Sequence, residues 1–372
     1  MKKRPPTPKP LWDTLFPILI ARYRKLMKLP IGPLDALQTR EFRSLVDQLL
    51  QYKESQEIST PGLLSAYFMY EWPLQYAQAL SLIQELPQKP SKVLDLTSKG
   101  APSCLAALQH GATEVLAIGE NEPALKLCAD LCGHLGYPIS IRTGNREKLT
   151  SLSIHDTSWD LIIISHSLFD LLPSTEEHLS YIRKLLHLLS PEGHLLLVED
   201  SENLTNRRFL KLRDAIAEQG ISIIAPCLWK GECPALKHGS SPCFAQRPIE
   251  KPFMIKEIQR AAQINLSSLK MSYLILGSLK VTPPPLPDNL YRIVSPPLPT
   301  FRGERYFLCG VQGKKTLGTT LTEHPKHSRA FEYLKRGDVV SVEQSVSLGE
   351  DMQITEKTIV ELIAPCDKPV LI

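Results

Sequence analysis

Apolar side chains recur at three- and four-residue intervals through the first quarter of the chain: Leu11, Leu15, Ile18, Leu19 and Tyr23, then Phe42, Leu45, Val46, Leu49 and Leu50. This spacing lays an apolar stripe along a helix, so residues 1–85 predict a helical region. From Ser91 the pattern changes to short apolar runs, KVLDL, EVLAIG, ISIRTG, DLIIISHS, GHLLLVED, ISIIAP and SYLILGSL, separated by amphipathic stretches. Apolar strands alternating with helices predict a mostly parallel sheet covered on both faces. The fold class is therefore α/β, a doubly wound sheet over residues 86–282. Proline crowding in VTPPPLPDNLYRIVSPPLP predicts a semi-rigid linker over 283–298, neither helix nor central strand. Beyond it, YFLCGVQG, KTLGTTLT, DVVSVEQSV and KTIVELIA have the length and turn spacing of a small β module over 299–372, an OB-like one among the candidates.

Bulk composition narrows this picture only a little. With 372 residues and 43% hydrophobic content the chain is long enough for two or three domains and a sizeable core. A net charge of +4 is compatible with RNA as a partner and does not require one. No apolar run reaches the roughly 18 residues of a membrane span, so no membrane partner is expected, and nothing points to DNA. The start, MKKRPPTPKP, reads as a solvated basic arm able to touch RNA; it lacks the Arg/Ser-rich amphipathic pattern of a presequence. The expected compartment is a bacterial cytoplasm, with the mitochondrial matrix as the alternative, and the expected state is a monomer. Eight cysteines without a framework of short regular spacings predict thiols that are reduced or metal-bound rather than disulfides.

Three of those cysteines stand in one loop, APCLWKGECPALKHGSSPCF, where Cys227, Cys233 and Cys243 form C-x5-C-x9-C among prolines and glycines. A segment with so little apolar content is either solvated or tied down, and converging thiolates that bind zinc or iron would tie it down. Three thiols need a fourth ligand, open at this point among His238, Cys309 and Cys366. Cys104, Cys128 and Cys132 lie on apparent helices and read as buried apolar residues.

The first strand and turn of the sheet, Val93-Leu-Asp-Leu-Thr-Ser-Lys-Gly-Ala-Pro-Ser-Cys, resemble the first motif of class I S-adenosylmethionine-dependent methyltransferases, an acidic strand end running into glycines and a helix. Asp95 matches the acidic position, but Thr97, Lys99 and Ala101 occupy the glycine positions and only an out-of-phase Gly100 remains. Lys99 would also place positive charge beside a sulphonium cofactor. Strand two should end in an acid that holds the ribose hydroxyls; Gly119 stands there, with Glu120 one residue later. The candidate cofactor-binding residues are thus Asp95, Gly100 and Glu120. No catalytic residue is assigned; His166, after the fourth strand, reads first as a structural hydrogen-bond partner.

The cysteine segment and its flanks, APC at Ala225–Cys227, CP at Cys233–Pro234, CFAQR at Cys243–Arg247 and SYLILG at Ser272–Gly277, resemble the signature of a methyltransferase-like family associated with the small ribosomal subunit, known from mitochondria and bacteria. AYFMYEWPLQYA upstream and VSPPLPTFRGERYFLCGVQGK downstream extend the resemblance over residues 60–345. It implies a [4Fe-4S] cluster on Cys227, Cys233, Cys243 and Cys309 within a metal loop spanning 225–255, with zinc as the alternative metal and Cys366 as the alternative fourth ligand. It also implies a role in maturation of the small subunit through contact with its rRNA. Because the cofactor turn departs from the family pattern, weak or absent S-adenosylmethionine binding is expected. The reading is an assembly factor on a degenerate methyltransferase fold; the alternatives are an active rRNA methyltransferase and a redox-sensing RNA-binding module. Cations expected to meet RNA are Lys2, Lys3, Arg4, Arg22, Arg24, Lys25, Arg207, Arg208, Lys211, Lys251, Lys314 and Lys315.

Overall fold

The helical periodicity of the first 85 residues becomes α1 (Leu11–Leu26), α2 (Thr39–Ser55) and a bent helix built of α3 (Pro61–Ala66), a π-helical turn (Tyr67–Glu71) and α4 (Trp72–Ile83). The computed structural model describes residues 11–33, 36–97, 99–144, 158–237, 242–280, 285–301, 303–349, 351–366 and 370–371. Thr60 caps α3 by accepting from the Leu63 amide at 3.2 Å, and Pro61 fills its first turn. The π-helical turn inserts a residue into the helix, and its Tyr67, Phe68, Met69 and Tyr70 are all buried. These aromatics share one apolar core with Trp12, Trp72, Val93, Val115 and Ile275. The helical region therefore shares the sheet's own core.

The seven strands expected from the sequence all form: β1 (Lys92–Thr97), β2 (Glu114–Gly119), β3 (Ser140–Thr143), β4 (Trp159–Ser165), β5 (Leu189–Glu199), β6 (Ile223–Ala225) and, after the short β7 (Ala245–Arg247) and β8 (Ile249–Glu250), β9 (Leu269–Gly277). Their order is β3-β2-β1-β4-β5-β9-β6, with β7 beside β9. β1 to β5 run parallel and β9 runs antiparallel to both β5 and β6. The strand order reverses between β1 and β4, the topological switch point of a doubly wound sheet. α5 (Pro102–His110) and α6 (Glu122–His134) follow β1 and β2. On the opposite face, Leu94, Ile162, Ile164 and Leu197 pack against Phe209 and Leu212 of the helix Asn203–Glu218. This is the α/β architecture of the class I methyltransferases.

The C-terminal module holds β10 (Leu290–Ile293), β11 (Leu298–Thr300), β12 (Gly303–Gly310), β13 (Gly313–Thr319), β14 (Val339–Glu343), β15 (Val346–Leu348), β16 (Asp351–Gln353) and β17 (Ile359–Ala364). They form an eight-stranded sheet, larger than the five strands of an OB fold, around Tyr306, Leu308, Leu317, Phe331 and Val340. The proline-rich segment expected to be linker contains a central strand, because β10 pairs with both β12 and β14. Its four residues carry no proline, so every backbone donor is available, and the prolines bracket the strand instead of entering it. Pro299 does lie in a strand, β11, but at an edge that pairs only with β12. β18 (Val370–Leu371) returns to pair in parallel with β8. Among the described residues no helix is long and apolar enough to cross a membrane.

Candidate functional site

Four cysteines from two parts of the chain line one cavity of about 70 Å³ between the α/β sheet and the C-terminal module: Cys227, Cys233 and Cys243 of the loop, and Cys309 of β12. One water needs about 10–15 Å³ by the same measure, so the space admits a group of several heavy atoms. The loop is held from below by one face of the helix Asn203–Glu218. Arg213 donates to the carbonyls of Trp229 and Gly231. Asp214 accepts the Cys233 amide at 3.0 Å on each oxygen and pairs with Arg213 at 2.7 Å. Asn206, two helical turns earlier, donates to the Cys243 carbonyl at 2.8 Å and to Ser272 of β9 at 2.8 Å. A loop with little apolar content is thereby given a fixed path.

Four arginines line the same cavity: Arg213, Arg247, Arg292 and Arg336. Glu85, just past α4, pairs with Arg247 and lies 3.8 Å from Arg292, while accepting the Tyr273 hydroxyl at 2.7 Å. Burial works against the Glu85 carboxylate, but Arg292 and Arg247 outweigh it and hold its pKa below the ordinary value. Arg292 Nη1 donates to the Gly337 carbonyl at 2.9 Å. Among the described residues, Arg213 Nε, Arg292 Nε, and Arg336 Nε and Nη1 are buried donors without a hydrogen-bond partner. Such donors are costly in an apolar surround unless an acceptor meets them. The cavity thus offers unspent cationic N–H groups together with thiols.

The thiols sense one another. Burial pushes the Cys309 thiol up to about 12, with Cys227 and Cys233 adding to the effect. Burial also raises Cys243, reinforced by Cys227, Cys233 and Cys309. Burial opposes the charge of Arg213, and Cys227 and Asp214 more than restore it. Among the described residues no three His, Cys, Asp or Glu side chains are grouped closely enough to hold a metal ion as they stand. The cysteines ring the cavity instead of meeting at a point. Cys366 does not line it: its Sγ donates to the Arg336 carbonyl at 3.0 Å and its amide to Asp338 at 2.8 Å. His238 lies outside the described residues.

The residues expected at a cofactor turn are placed differently. Asp95 is 0% exposed, with Cys104 Sγ 3.7 Å from its Oδ2 and no partner for Oδ1 among the described residues. Burial raises its pKa to about 7, with Cys104 acting in the opposite sense. Gly100 is sealed by the N-terminal helices: Trp72 Nε1 donates to its carbonyl at 2.8 Å, and a Cβ there would stand 2.8 Å from Phe68 and 3.0 Å from Tyr67. Lys99 reaches the buried Tyr52, donating to its hydroxyl at 3.3 Å. Gly119 is pressed so closely on β1 that a Cβ would meet the Thr97 carbonyl at 2.4 Å. Glu120 is exposed beyond the strand end. His166, in a left-handed conformation at φ 51, hydrogen-bonds Gln78 at 3.0 Å and lies 3.4 Å from Asp200. Cys104, Cys128 and Cys132 are buried.

Several cations expected on the surface are already engaged. Arg24 is 4% exposed and bonded to Glu41 at 2.9 Å, which removes it from any RNA-facing set. Arg22 pairs with Asp130 at 2.7 Å, Arg208 covers the Phe169 ring, and Lys251 donates to the Leu266 carbonyl at 2.6 Å. Lys2, Lys3 and Arg4 lie outside the described residues. The four cavity arginines and Asn206 were not anticipated from sequence. Their signal there is a polar residue at an inward position of an apolar element, as in FLKLRDAI and LYRI.

The family described as "Mitochondrial small ribosomal subunit Rsm22" matches residues 63–338, more than half of this chain. No curated protein matches it. Among solved structures, the plantazolicin methyltransferase BpumL, bound to SAH and a monoazolic analogue, is 13% identical with a TM-score of 0.39, over 64% of this chain and 98% of that one. The ribosomal protein L11 methylase of Lactobacillus delbrueckii subsp. bulgaricus is 16% identical with a TM-score of 0.32, over 55% and 76%. The CcbJ methyltransferase of Streptomyces caelestis is 21% identical with a TM-score of 0.28; the match covers 34% of this chain and spans about half, 49%, of that one.

Proposed function

The chain belongs to the Rsm22 family of the mitochondrial small ribosomal subunit, and from that premise we propose that it is an assembly factor which binds the rRNA of the small subunit and carries a [4Fe-4S] cluster. Cys227, Cys233, Cys243 and Cys309 would hold the cluster. The observation that carries this reading is the pairing of four thiols with unpartnered arginine donors around one cavity. When bound, a thiolate-ligated cluster supplies a crosslink between loop and module and a net negative charge with sulphur acceptors. The arginines fit that charge: Arg213 and Arg292 carry unspent N–H groups at the cavity wall that sulphides or thiolates would accept, and hydrogen bonds to sulphur tune such clusters.

Zinc is the alternative metal: a single ion would draw the four sulphurs to bonds of about 2.3 Å, and the metal content per chain separates it from the cluster. Cys309 is favoured over Cys366 as fourth ligand because it shares the cavity with the loop cysteines. For the methyltransferase fold we propose a scaffold role without methyl transfer. Supporting this are the buried Asp95, the aromatic seal on Gly100 and the closure of Gly119 on Thr97. Of the two compartments expected, the family description supports the mitochondrial one.

The test is iron, acid-labile sulphide and zinc content per chain on protein purified without oxygen, for wild type, Cys233→Ser, Cys309→Ser and Cys366→Ser. A four-iron, four-sulphide complement lost in the first two variants and kept in the third is expected. Zinc without iron, or iron unaffected by Cys309→Ser, refutes the assignment.

A further inference from the structure

Side chains along a strand alternate between the two faces of its sheet. On β12, Tyr306 and Leu308 enter the core of the C-terminal module, which leaves Arg305, Phe307 and Cys309 on the outer face. β13 pairs with Lys314 opposite Cys309 and Thr316 opposite Phe307, so Lys314 joins the same face one diagonal from the ring. Phe307 consequently has two cations beside it: Lys314 Nζ stands 4.1 Å and Arg305 Cζ 5.8 Å from its centroid. The only acid described in β11, β12 and β13 is Glu304, which alternates to the other face.

The ring opens on a recess of about 270 Å³ that adjoins the cavity of the four arginines and shares part of its wall. Phe307 and Leu298 give it an apolar floor; Lys314 and Arg336 stand at its polar points, and Cys233, Cys243 and Cys309 form the wall shared with the cysteine cavity. Arg336 still has two N–H groups without partners among the described residues. An aromatic face flanked by cations, beside a concave space with unspent donors, matches the parts of one nucleotide. A base stacks on the ring whatever its sequence, its edge offers acceptors, and the adjoining phosphates meet the cations. A base still paired in a duplex could not enter such a recess, whereas an unstacked one can.

We propose that this face of the module is a stacking site for an unpaired nucleotide of RNA, with the base on Phe307, its acceptor atoms toward Arg336, and the neighbouring phosphates on Arg305 and Lys314. The assignment rests on the RNA-binding reading given above and deepens it, naming the site and the single-stranded state of the target. It moves the RNA-facing surface from a scatter of basic residues to one strand pair.

Full-length protein is titrated, with fluorescence anisotropy as readout, into a labelled single-stranded RNA of about ten nucleotides and into the same RNA annealed to its complement. Wild type is expected to prefer the single strand. Phe307→Ala should weaken that binding about 5- to 100-fold, the range of one lost base stack. Phe307→Trp, which keeps the ring and so the packing, should keep the affinity and show quenched indole fluorescence on saturation. Lys314→Ala should lower the slope of log affinity against log salt by about 0.7, one phosphate contact on a single strand. Wild type that binds neither RNA overturns the RNA-binding reading itself. Wild type that binds, with Phe307→Ala unchanged and Phe307→Trp unquenched, overturns this site alone, and equal affinity for the duplex overturns the unpaired-base assignment.

Discussion

Asp95→Asn should make this protein more stable, and by an amount that depends on pH. The carboxyl group is fully buried in β1 between Ala117 and Ile163, its Oδ1 has no partner among the described residues, and burial lifts its pKa from 3.8 to about 7. At about 1.4 kcal/mol per pH unit, holding this group ionised in the folded state costs roughly 4 kcal/mol relative to the unfolded chain. The sign follows from proton counting. Between the two pKa values the folded state binds more protons than the unfolded one, so this group's contribution to stability declines as pH rises from 3.8 toward 7 and is flat beyond. Asparagine does not titrate and escapes the decline. Thermal melts of wild type and Asp95→Asn at about pH 5 and about pH 8 should therefore show a gap that widens with pH, by about 2–4 °C for each kcal/mol in a chain of this kind. A gap that stays constant or narrows would mean that Asp95 is ionised and solvated in the folded protein. The reasoning that places it in the core, away from a ribose or methionine moiety, would then fall.

Two further outcomes follow from close contacts. Gly119→Asp, which restores the acidic residue of a ribose site on paper, drives its Cβ to 2.4 Å from the Thr97 carbonyl and should cost about 1–3 kcal/mol without S-adenosylmethionine binding in equilibrium dialysis; a stable variant that binds the cofactor contradicts the closure of this turn. Glu85→Gln leaves Arg247 and Arg292 without their shared carboxylate and should cost about 3–5 kcal/mol, read in a melt and as faster proteolysis before β10. The wild-type contribution is present above the ordinary Glu value of 4.5 and lost as pH falls below it, since the folded pKa is lowered; a stability difference between the two proteins that persists unchanged in acid contradicts the ion-pair account.

The strands of the α/β sheet were legible because each is a short apolar run that carries its own pattern, and the parallel order of β1 to β5 follows from the helices between them. β10 was not legible. Leu290–Ile293 is four residues between proline clusters, and what makes it a strand is pairing with β12 and β14 from far along the chain. The union of the helical region with the sheet core was hidden for a related reason. Tyr67, Phe68 and Trp72 look like an ordinary apolar helix face, and only the three-dimensional placement of Gly100 shows what they cover. At the cysteine loop the spacing announced three thiols, and the family resemblance named Cys309, which lines the same cavity. The arginines could not be paired with them, since Arg213, Arg247, Arg292 and Arg336 sit on a helix, two strands and a loop.

Those arginines explain why the cavity lies where it does. A doubly wound sheet ordinarily presents its ligand at the carboxyl ends of β1 and β4, and there this chain has packed Tyr67, Phe68 and Trp72 against Gly100 and drawn Gly119 onto Thr97. At the opposite edge, β6, β7 and β9 leave a margin that the helix Asn203–Glu218 and the C-terminal module can both reach, and the cysteines gather at it. Glu85 links the two regions: it follows the helix that covers the sealed turn and pairs with cations of β7 and β10 beside the cysteines. One half-buried carboxylate thus ties the N-terminal layer, the sheet and the module. Removing it should loosen the docking of the module and with it the wall that Cys309 contributes, so the Glu85→Gln protein should lose the cluster proposed above faster than wild type on dialysis. Equal retention would mean that the three loop thiols alone determine how tightly the site is held.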